Sequence, residues 1–209
     1  MSKNISGKLE NITVKLKLTP EQASYIDIAI KNYTFAYNYR KCERDAFYER
    51  NIRGRQLTKE QYSQEFKNFH PKKAKVLYRQ YPWLKDTHIA VVKSAFTSYD
   101  IDLDNKIKSY IKNGRKGVFK TPEFKADPAS RCKVVIHSIP KSCLDYKRRT
   151  ATFPGMEEKM KFVSPKLTKY GEDKWYETAI PHTMTIKKNT SLEYWCTFSF
   201  IRPIEKKEE

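Results

Sequence analysis

The first regular pattern in the chain is an alternation of apolar and polar residues in the sequence NITVKLKL at 11–18. A period of two predicts a β-strand with one buried and one exposed face. The exposed face carries Lys15 and Lys17, so we expect the strand to present positive charge to solvent. The buried face is predicted to contain Ile12, Val14, Leu16 and Leu18.

From residue 19 to residue 113 the apolar residues recur every three or four positions, which predicts helices. The sequence TPEQ at 19–22 combines a capping threonine, a proline at the first helical position and a glutamine three residues after the cap. This combination is typical of a helix start. We expect the helix to end near 48–50. Its buried stripe is predicted to contain Ile26, Ile30, Tyr33 and Tyr37.

Two further helices are predicted in the same region. A capping box at 58–61 opens a helix with Tyr62, Phe66 and Phe69 on one face, which Pro71 interrupts. A long helix is expected to start at 86 or 87 and to end at Gly114, because glycine adopts the left-handed conformation that closes a helix. Its apolar stripe is predicted to contain Ile89, Val92, Phe96, Tyr99, Leu103, Ile107 and Tyr110.

The sequence pattern in the last third of the chain is typical of short β-strands. Four such runs, RCKVVIHSI, EKMKFV, TMTIKK and LEYWCTFSFI, are separated by Pro, Gly and Asn. In the last run, Leu192, Tyr194, Cys196, Phe198 and Phe200 are predicted to share one face. The N-terminal strand needs partners, and only these runs can supply them.

The sequence therefore predicts an α+β fold, a small β-barrel interrupted by a helical bundle. The predicted barrel comprises 11–18 and 126–203, and the bundle 19–113. A basic loop at 114–125 connects the two, and a charged tail follows at 204–209.

The composition of the chain indicates which class of ligand it binds. The chain has 42 Lys and Arg against 24 Asp and Glu, a formal charge of +18, and 13% aromatic residues. Such a charge opposes compaction unless a polyanion neutralises it, which favours nucleic acid as the ligand. Interleaved cations and aromatic rings suit single-stranded or irregular RNA. The alternative for each basic cluster alone is a solvated edge strand with protective lysines.

Three basic clusters in the second half of the chain, together with Lys15 and Lys17, are the predicted RNA contacts. The predicted phosphate contacts are Lys112, Arg115, Lys116, Lys120, Lys125, Lys147, Arg148, Arg149, Lys166, Lys169 and Lys174. Tyr170 and Trp175 are predicted to stack on bases. Phe119 and Phe124, within the basic loop, are expected to pin it to the core rather than to stack.

Signals for catalysis and metal binding are sparse. The four cysteines form no C-x-x-C pair, and the four histidines have no partner at a useful spacing, so we expect no metal, no cofactor and reduced thiols. His88 is expected to cap a helix or lie on the surface. Asp100, Asp102 and Asp104 cannot all converge on one ion if they lie on a helix. No signal peptide or membrane span is apparent, so we expect a cytoplasmic protein that is not an enzyme.

The order of several motifs resembles the N-terminal half of TnpB, an RNA-guided nuclease of insertion sequences related to type V CRISPR effectors. The motifs are KLKLTPEQ, YNYRKCER, YPWLKD, GVFKTPEFK, FVSPKLTKYG and YWCTFSF, which together span 12–203. In that family the strands form a wedge (WED) barrel and the helices a recognition (REC) lobe. The resemblance implies binding of a structured guide RNA and reading of a T-rich motif in target DNA, with His88, Lys93 and Thr97 as the motif-reading residues.

Family members continue into a RuvC nuclease domain and a zinc ribbon, whereas this chain stops at RPIEKKEE. The resemblance thus implies a guide-RNA-binding protein without nuclease activity. Such a protein would serve as the recognition subunit beside a RuvC-containing chain, or as an inhibitor that sequesters guide RNA. The alternatives are a transcriptional regulator that binds DNA directly and an N-terminal fragment of a full nuclease.

Overall fold

The computed structural model divides the chain into two compact units. One unit, called the sheet unit here, comprises Met1–Ile30 and Pro128–Glu209, and the other, the helical unit, comprises Lys31–Asp127. The residues that the structure describes are 7–53, 55, 61, 64–65, 69–114, 121–125, 133–163, 179 and 181–203.

Seven strands form one antiparallel sheet in the sheet unit. They are β1 (Gly7–Lys17), β2 (Lys133–His137), β3 (Leu144–Asp145), β4 (Thr150–Ala151), β5 (Met160–Val163), β6 (Pro181–Lys188) and β7 (Tyr194–Pro203). Their spatial order is β2-β6-β7-β1-β5-β4-β3. The N-terminal strand pairs with β7 on one side and with β5 on the other, so its predicted partners in the last third of the chain are confirmed.

The sheet is open rather than a closed barrel. Among the described residues no ladder joins the two edge strands, β2 and β3. It nevertheless curls over its own core. Tyr146 follows edge strand β3, yet its ring lies 6.5 Å from the ring of Phe200 on β7, four strands away in the sheet order.

The inner face of the sheet is apolar, as the period-two pattern predicts. Ile12, Val14 and Leu16 are buried, and so are the four inner residues of β7 from Tyr194 to Phe200. Leu192 was expected on this face, and that prediction is wrong. It precedes β7, has a φ of 60° and is 70% exposed, because the strand starts two residues later.

Helix α1 (Pro20–Asn51) begins with the predicted capping box. The Gln22 backbone N–H donates to Thr19 Oγ1, and the Thr19 backbone N–H donates to Gln22 Oε1, both at 3.2 Å. In the sheet unit, Tyr25 donates to the Pro154 carbonyl, and Asp27 accepts from Lys188 and from the Tyr194 hydroxyl. The predicted buried stripe from Ile26 to Tyr37 is confirmed, since its four members are at most 2% exposed.

The helical unit also contains α2 (Ala74–Gln80) and α3 (Ile89–Lys112). The sequence did not predict α2, and it placed the start of α3 two to three residues early. A 3-10 helix at Pro82–Asp86 comes first, and Thr87 is then held in an extended conformation while its hydroxyl accepts from Asn32. At the other end, Gly114 has a φ of 67°, as a terminating glycine should.

The helix predicted between 58 and 69 lies largely outside the described residues, Tyr62 and Phe66 included. Of its described residues, Gln61, Gln64 and Glu65 are helical, as predicted, whereas Phe69 is not. The Phe69 ring packs 5.0 Å from that of Phe47 on α1. Of the described helices, none combines the length and the apolar character needed to cross a membrane.

Candidate nucleic-acid interface

The exposed face of the sheet carries a line of lysines that crosses five neighbouring strands, β2, β6, β7, β1 and β5. Adjacent strands lie about 4.8 Å apart, so the line spans about 19 Å. We call this set the lysine track. One row of the ladder contains Lys133, Lys187, Trp195 and Lys15. The pair Lys17–Lys161 lies in a second row, two residues along β1, because Val163 faces Lys15 on β5.

Two pairs within the lysine track place like charges directly opposite each other. Lys133 faces Lys187, and Lys17 faces Lys161, and all four side chains are exposed. Directly opposed like charges destabilise an antiparallel strand pair. Within the described part of the chain, none of the four has a carboxylate partner. An anion bound between the two lysines of a pair would remove this repulsion.

Trp195 lies at the centre of the track, between Lys187 and Lys15 in the register. Two residues earlier, Glu193 accepts hydrogen bonds from the Lys15 ammonium, from Asn189 Nδ2 and from the Trp195 indole. The hydrogen bond from Lys15 is the main reason that the pKa of Glu193 is lowered. The donors at the centre of the track therefore already hold an anionic group.

A strip of uncharged polar residues borders the track on the same face. Thr13 lies opposite Thr197, with their hydroxyl oxygens 2.8 Å apart, and Thr197 lies opposite Thr185. The next row contains Asn11 opposite Ser199. In nucleic-acid-binding proteins, hydroxyl and amide groups of this kind donate to and accept from sugars and base edges.

The predicted cluster Lys147–Arg149 forms the turn of the β-hairpin between β3 and β4 and leads directly into β4. All three side chains are exposed, and Arg149 has a φ of 53°. Asp145 accepts from the Arg148 backbone N–H at 3.0 Å, which fixes the turn. Because Thr150 pairs with Lys161, the turn adds positive charge beside the β5 end of the track.

Lys133, Lys161, Lys187 and Trp195 were missed by the sequence reasoning. Each occupies a position of a predicted strand that alternates with the apolar ones, so the period-two rule that found Lys15 and Lys17 would have placed them on the exposed face. These residues lie close together because of the order of the strands in the sheet, and the alternation within each strand does not predict that order.

The basic loop is only partly described. Lys112 is the exposed last residue of α3. Arg115, Lys116 and Lys120 lie outside the described residues, as do Phe119 and the whole third cluster, Lys166, Lys169, Tyr170, Lys174 and Trp175. Their roles stay predictions. Phe124 is 55% exposed, with the Lys41 ammonium 4.6 Å from its ring centroid, so it is not buried in the core as expected for a pinning residue.

Lys125 was predicted to contact phosphate, but it is held against α1. Its backbone N–H donates to Asn38 Oδ1 at 2.8 Å, and its carbonyl accepts from Asn38 Nδ2 at 2.9 Å. Its ammonium lies 3.4 Å from the ring centroid of Tyr37 and 4.6 Å from that of Tyr33. A cation beside two aromatic faces is attracted to them, so the ammonium is engaged within the helical unit, and its contact with phosphate stays a prediction.

We expect Lys125→Ala to lower the free energy of unfolding by about 1–2 kcal/mol, since it removes a partly desolvated cation–π contact. Lys112→Ala, at the exposed end of α3, is the control and should stay within about 0.5 kcal/mol of the parent. Urea unfolding followed by circular dichroism measures both. An unchanged midpoint for Lys125→Ala, together with weaker RNA binding, would return Lys125 to the phosphate contacts.

The residues proposed to read DNA lie at the start of α3. His88 Nδ1 accepts from the Ala90 backbone N–H at 3.2 Å, so the expected capping role of His88 is confirmed. The Thr97 hydroxyl donates to the Lys93 carbonyl within the helix, and both side chains are exposed. Their role in recognition of a DNA motif stays a prediction.

The acidic and thiol groups are engaged in packing. Asp100 accepts from Arg40, Asp102 accepts from the Tyr37 hydroxyl at 2.7 Å, and Asp104 pairs with Lys108 at 2.6 Å. The three carboxylates thus have three different partners. In the described segments no group of three metal-ligating side chains comes together. Cys42, Cys143 and Cys196 are free, and burial raises the pKa of Cys143 to about 11.

Comparison of the sequence with protein-family models and with curated proteins finds no match.

Proposed function

We propose that this chain binds RNA and that an unpaired segment of the RNA crosses the exposed face of the sheet along the lysine track. The main support for the proposal is that two lysine pairs lie directly opposite each other on one exposed face that also contains Trp195. The pairs are Lys133 with Lys187 and Lys17 with Lys161. Uncompensated lysines repel one another unless a polyanion binds, and they contact phosphates regardless of sequence. Trp195 offers a ring on which a base can stack.

The proposal favours unpaired RNA over duplex DNA. Bases stack on an aromatic ring only when they are unpaired, and the 2′-hydroxyl distinguishes RNA from DNA. The hydroxyl strip around Thr13 and Thr197 supplies groups for that contact. We further propose that the sheet belongs to a domain of the WED type and that the ligand is a structured guide RNA, as the resemblance to TnpB implies.

Lys187→Thr tests whether a track lysine that destabilises the sheet contributes to RNA binding. Threonine favours strands, and the change removes one like-charge pair. We expect the free energy of unfolding to rise by about 0.5 kcal/mol. The affinity for a fluorescein-labelled octauridine in 0.1 M salt should fall by about fivefold, as for the loss of one phosphate contact.

The control for this variant is Val135→Thr, on the same face of the neighbouring β2, which adds a threonine without changing charge. It should leave octauridine affinity unchanged. Chemical denaturation and fluorescence anisotropy give the two quantities. A stability gain with unchanged affinity would mean that the like-charge pairs have no role in binding and would remove the main support for the proposal.

The guide-RNA version has its own test. We expect the chain to suppress DNA cleavage by an intact RNA-guided nuclease of the TnpB class, because binding of the guide withdraws it by mass action. Excess guide RNA should restore cleavage, and Lys187→Thr should suppress less. Cleavage that appears only when a RuvC-containing chain is added to this one would support the subunit role instead. If the chain neither suppresses cleavage nor supports cleavage by a RuvC-containing chain, the guide-RNA role is contradicted and only general RNA binding remains proposed.

A further inference from the structure

The helical unit contains a cluster of aromatic rings at the junction of α1, α2 and the 3-10 helix. The Phe35 ring centroid lies 5.0 Å from that of Tyr81 and 4.8 Å from that of Trp83, both in edge-to-face contact. Tyr39, one turn after Phe35, is 6.1 Å from Tyr81. Each ring contacts at least one other at a distance typical of stabilising aromatic pairs. The cluster is therefore a pre-ordered surface.

This cluster is not fully covered by the protein. Trp83 is 43% exposed, and Phe35, Tyr39 and Tyr81 each keep part of their surface open to solvent. Four neighbouring aromatic side chains that all keep exposed surface form a contiguous apolar patch, and such patches mark interaction sites more often than single exposed residues do. Since the neighbours of Trp83 fix its ring, a ligand that stacks on it does not have to order it first.

The surroundings of the cluster are strongly basic. The sequence from 71 to 85 contains five cations and no acid. The five side chains are all exposed, and they are Lys72, Lys73, Lys75, Arg79 and Lys85. Lys72 Nζ lies 5.6 Å from the Tyr39 ring centroid and 2.9 Å from its hydroxyl oxygen, which it can reach as a donor. That hydrogen bond raises the pKa of Lys72.

We infer that the Phe35–Tyr39–Tyr81–Trp83 cluster and its five cations are a second binding site for unpaired polynucleotide, separate from the lysine track. A fixed, partly exposed aromatic ring, with Lys72 at the neighbouring Tyr39 and four further exposed cations in the same stretch of chain, matches the two needs of a single strand, stacking for the bases and positive charge for the phosphates. An acidic protein segment would use the cations but would gain less from the ring. The inference extends the proposed RNA binding but stands on residues of the other unit.

Two sites on one chain make a length-dependent prediction. An oligonucleotide that reaches only one site binds with the affinity of that site, whereas a longer strand that occupies both gains from the effective concentration of the second. The track variant Lys133→Glu/Lys187→Glu should therefore keep measurable binding of a 30-nucleotide polyuridine. Adding Trp83→Ala/Lys75→Glu to it should abolish that binding.

The direct test is a Trp83→Ala/Lys75→Glu variant of the full chain, with fluorescein-labelled U30, dT30 and polyglutamate as probes. Its control, Ile101→Ala/Lys106→Glu, removes an equally exposed apolar side chain (44%) and reverses one charge on α3. We expect U30 affinity to fall at least about fivefold in the variant and little in the control, as for the loss of one stacked base. Ultraviolet crosslinking of 4-thiouridine-containing U30 should map to 71–85.

The outcomes separate this site from the lysine track. One outcome is that the track variants bind RNA as tightly as the parent and that the crosslinks still map to 71–85. It would support the second site and contradict the lysine track. Unchanged U30 affinity in Trp83→Ala/Lys75→Glu, with crosslinks elsewhere, overturns the inference. The inference is also overturned if polyglutamate binds as tightly as U30 and Trp83→Ala alone changes the affinity for neither probe. The surface would then be a docking face for an acidic protein. Binding of U30 and dT30 alike marks a site for any unpaired strand.

Discussion

Lys133→Glu/Lys187→Glu is expected to lower the affinity for octauridine by on the order of 100-fold in 0.1 M salt without destabilising the sheet. Each lysine that neutralises a phosphate on a single strand contributes about 0.7 of a logarithmic unit per decade of salt. The double change reverses two charges at one end of the lysine track, a change of four units, so that two attractive groups become repulsive. The two residues face each other across β2 and β6. The variant thus replaces one like-charge pair by another, and the cross-strand repulsion is conserved.

Two comparisons make the result specific to the track. Lys106→Glu/Lys141→Glu changes the net charge equally at exposed positions away from it and should reduce affinity by far less. Glu193→Gln should tighten binding, since it frees Lys15 from its carboxylate partner. Fluorescence anisotropy measures all three variants, and thermal unfolding verifies the fold. Equal losses for the two double variants would mean that only the overall charge matters, and the site proposed on the sheet would be withdrawn.

Local elements of this fold were predictable because short-range rules decide them. The capping box at Thr19 and Gln22, the buried stripe from Ile26 to Tyr37 and the glycine at 114 depend on neighbours within one or two turns. The partners of β1 were predictable for a different reason, since an isolated strand needs a ladder and only the last third of the chain offers strands.

Elements whose existence depends on distant contacts were missed or misplaced. Helix α2 has only seven residues, and its two buried side chains, Ala74 and Leu77, give too short a pattern to recognise. The hairpin of β3 and β4 has two residues in each strand, so no period can show. The start of α3 shifted because the Asn32 amide, far away in sequence, binds Thr87.

The candidate site follows the same division. Charge and aromatic content pointed to a polyanion, and the exposed face of β1 was found from its own alternation. Lys125 shows the limit of reading cations one at a time, because its ammonium is directed to Tyr33 and Tyr37 by the fold. Lys187 shows the opposite case, since an ordinary strand lysine becomes notable only when Lys133 is found facing it.

The salt dependence of octauridine binding is expected to be steep. Four track lysines without a carboxylate partner in the described residues, Lys17, Lys133, Lys161 and Lys187, predict a slope of about −2.8 in a plot of log K against log salt concentration, at about −0.7 per contact with a single strand. Raising the salt from 50 to 200 mM should therefore weaken binding by about 50-fold.

The slope should change in both directions when single charges of the track are altered. Lys187→Gln removes one contact and should bring the slope to about −2.1, whereas Glu193→Gln releases Lys15 and should bring it to about −3.5. Lys106→Gln, an equal loss of charge on α3, is the control and should leave the slope at the parent value. Anisotropy titrations at four salt concentrations, with potassium acetate as the salt, determine each slope. A slope near zero in the parent, or the same slope in all four proteins, would show that octauridine does not displace counterions from this face. Opposite shifts for Lys187→Gln and Glu193→Gln, together with an unchanged slope for Lys106→Gln, would indicate that Lys187 contacts the strand and that Glu193 competes with the strand for Lys15. Net charge alone would move the slope equally for Lys187→Gln and Lys106→Gln.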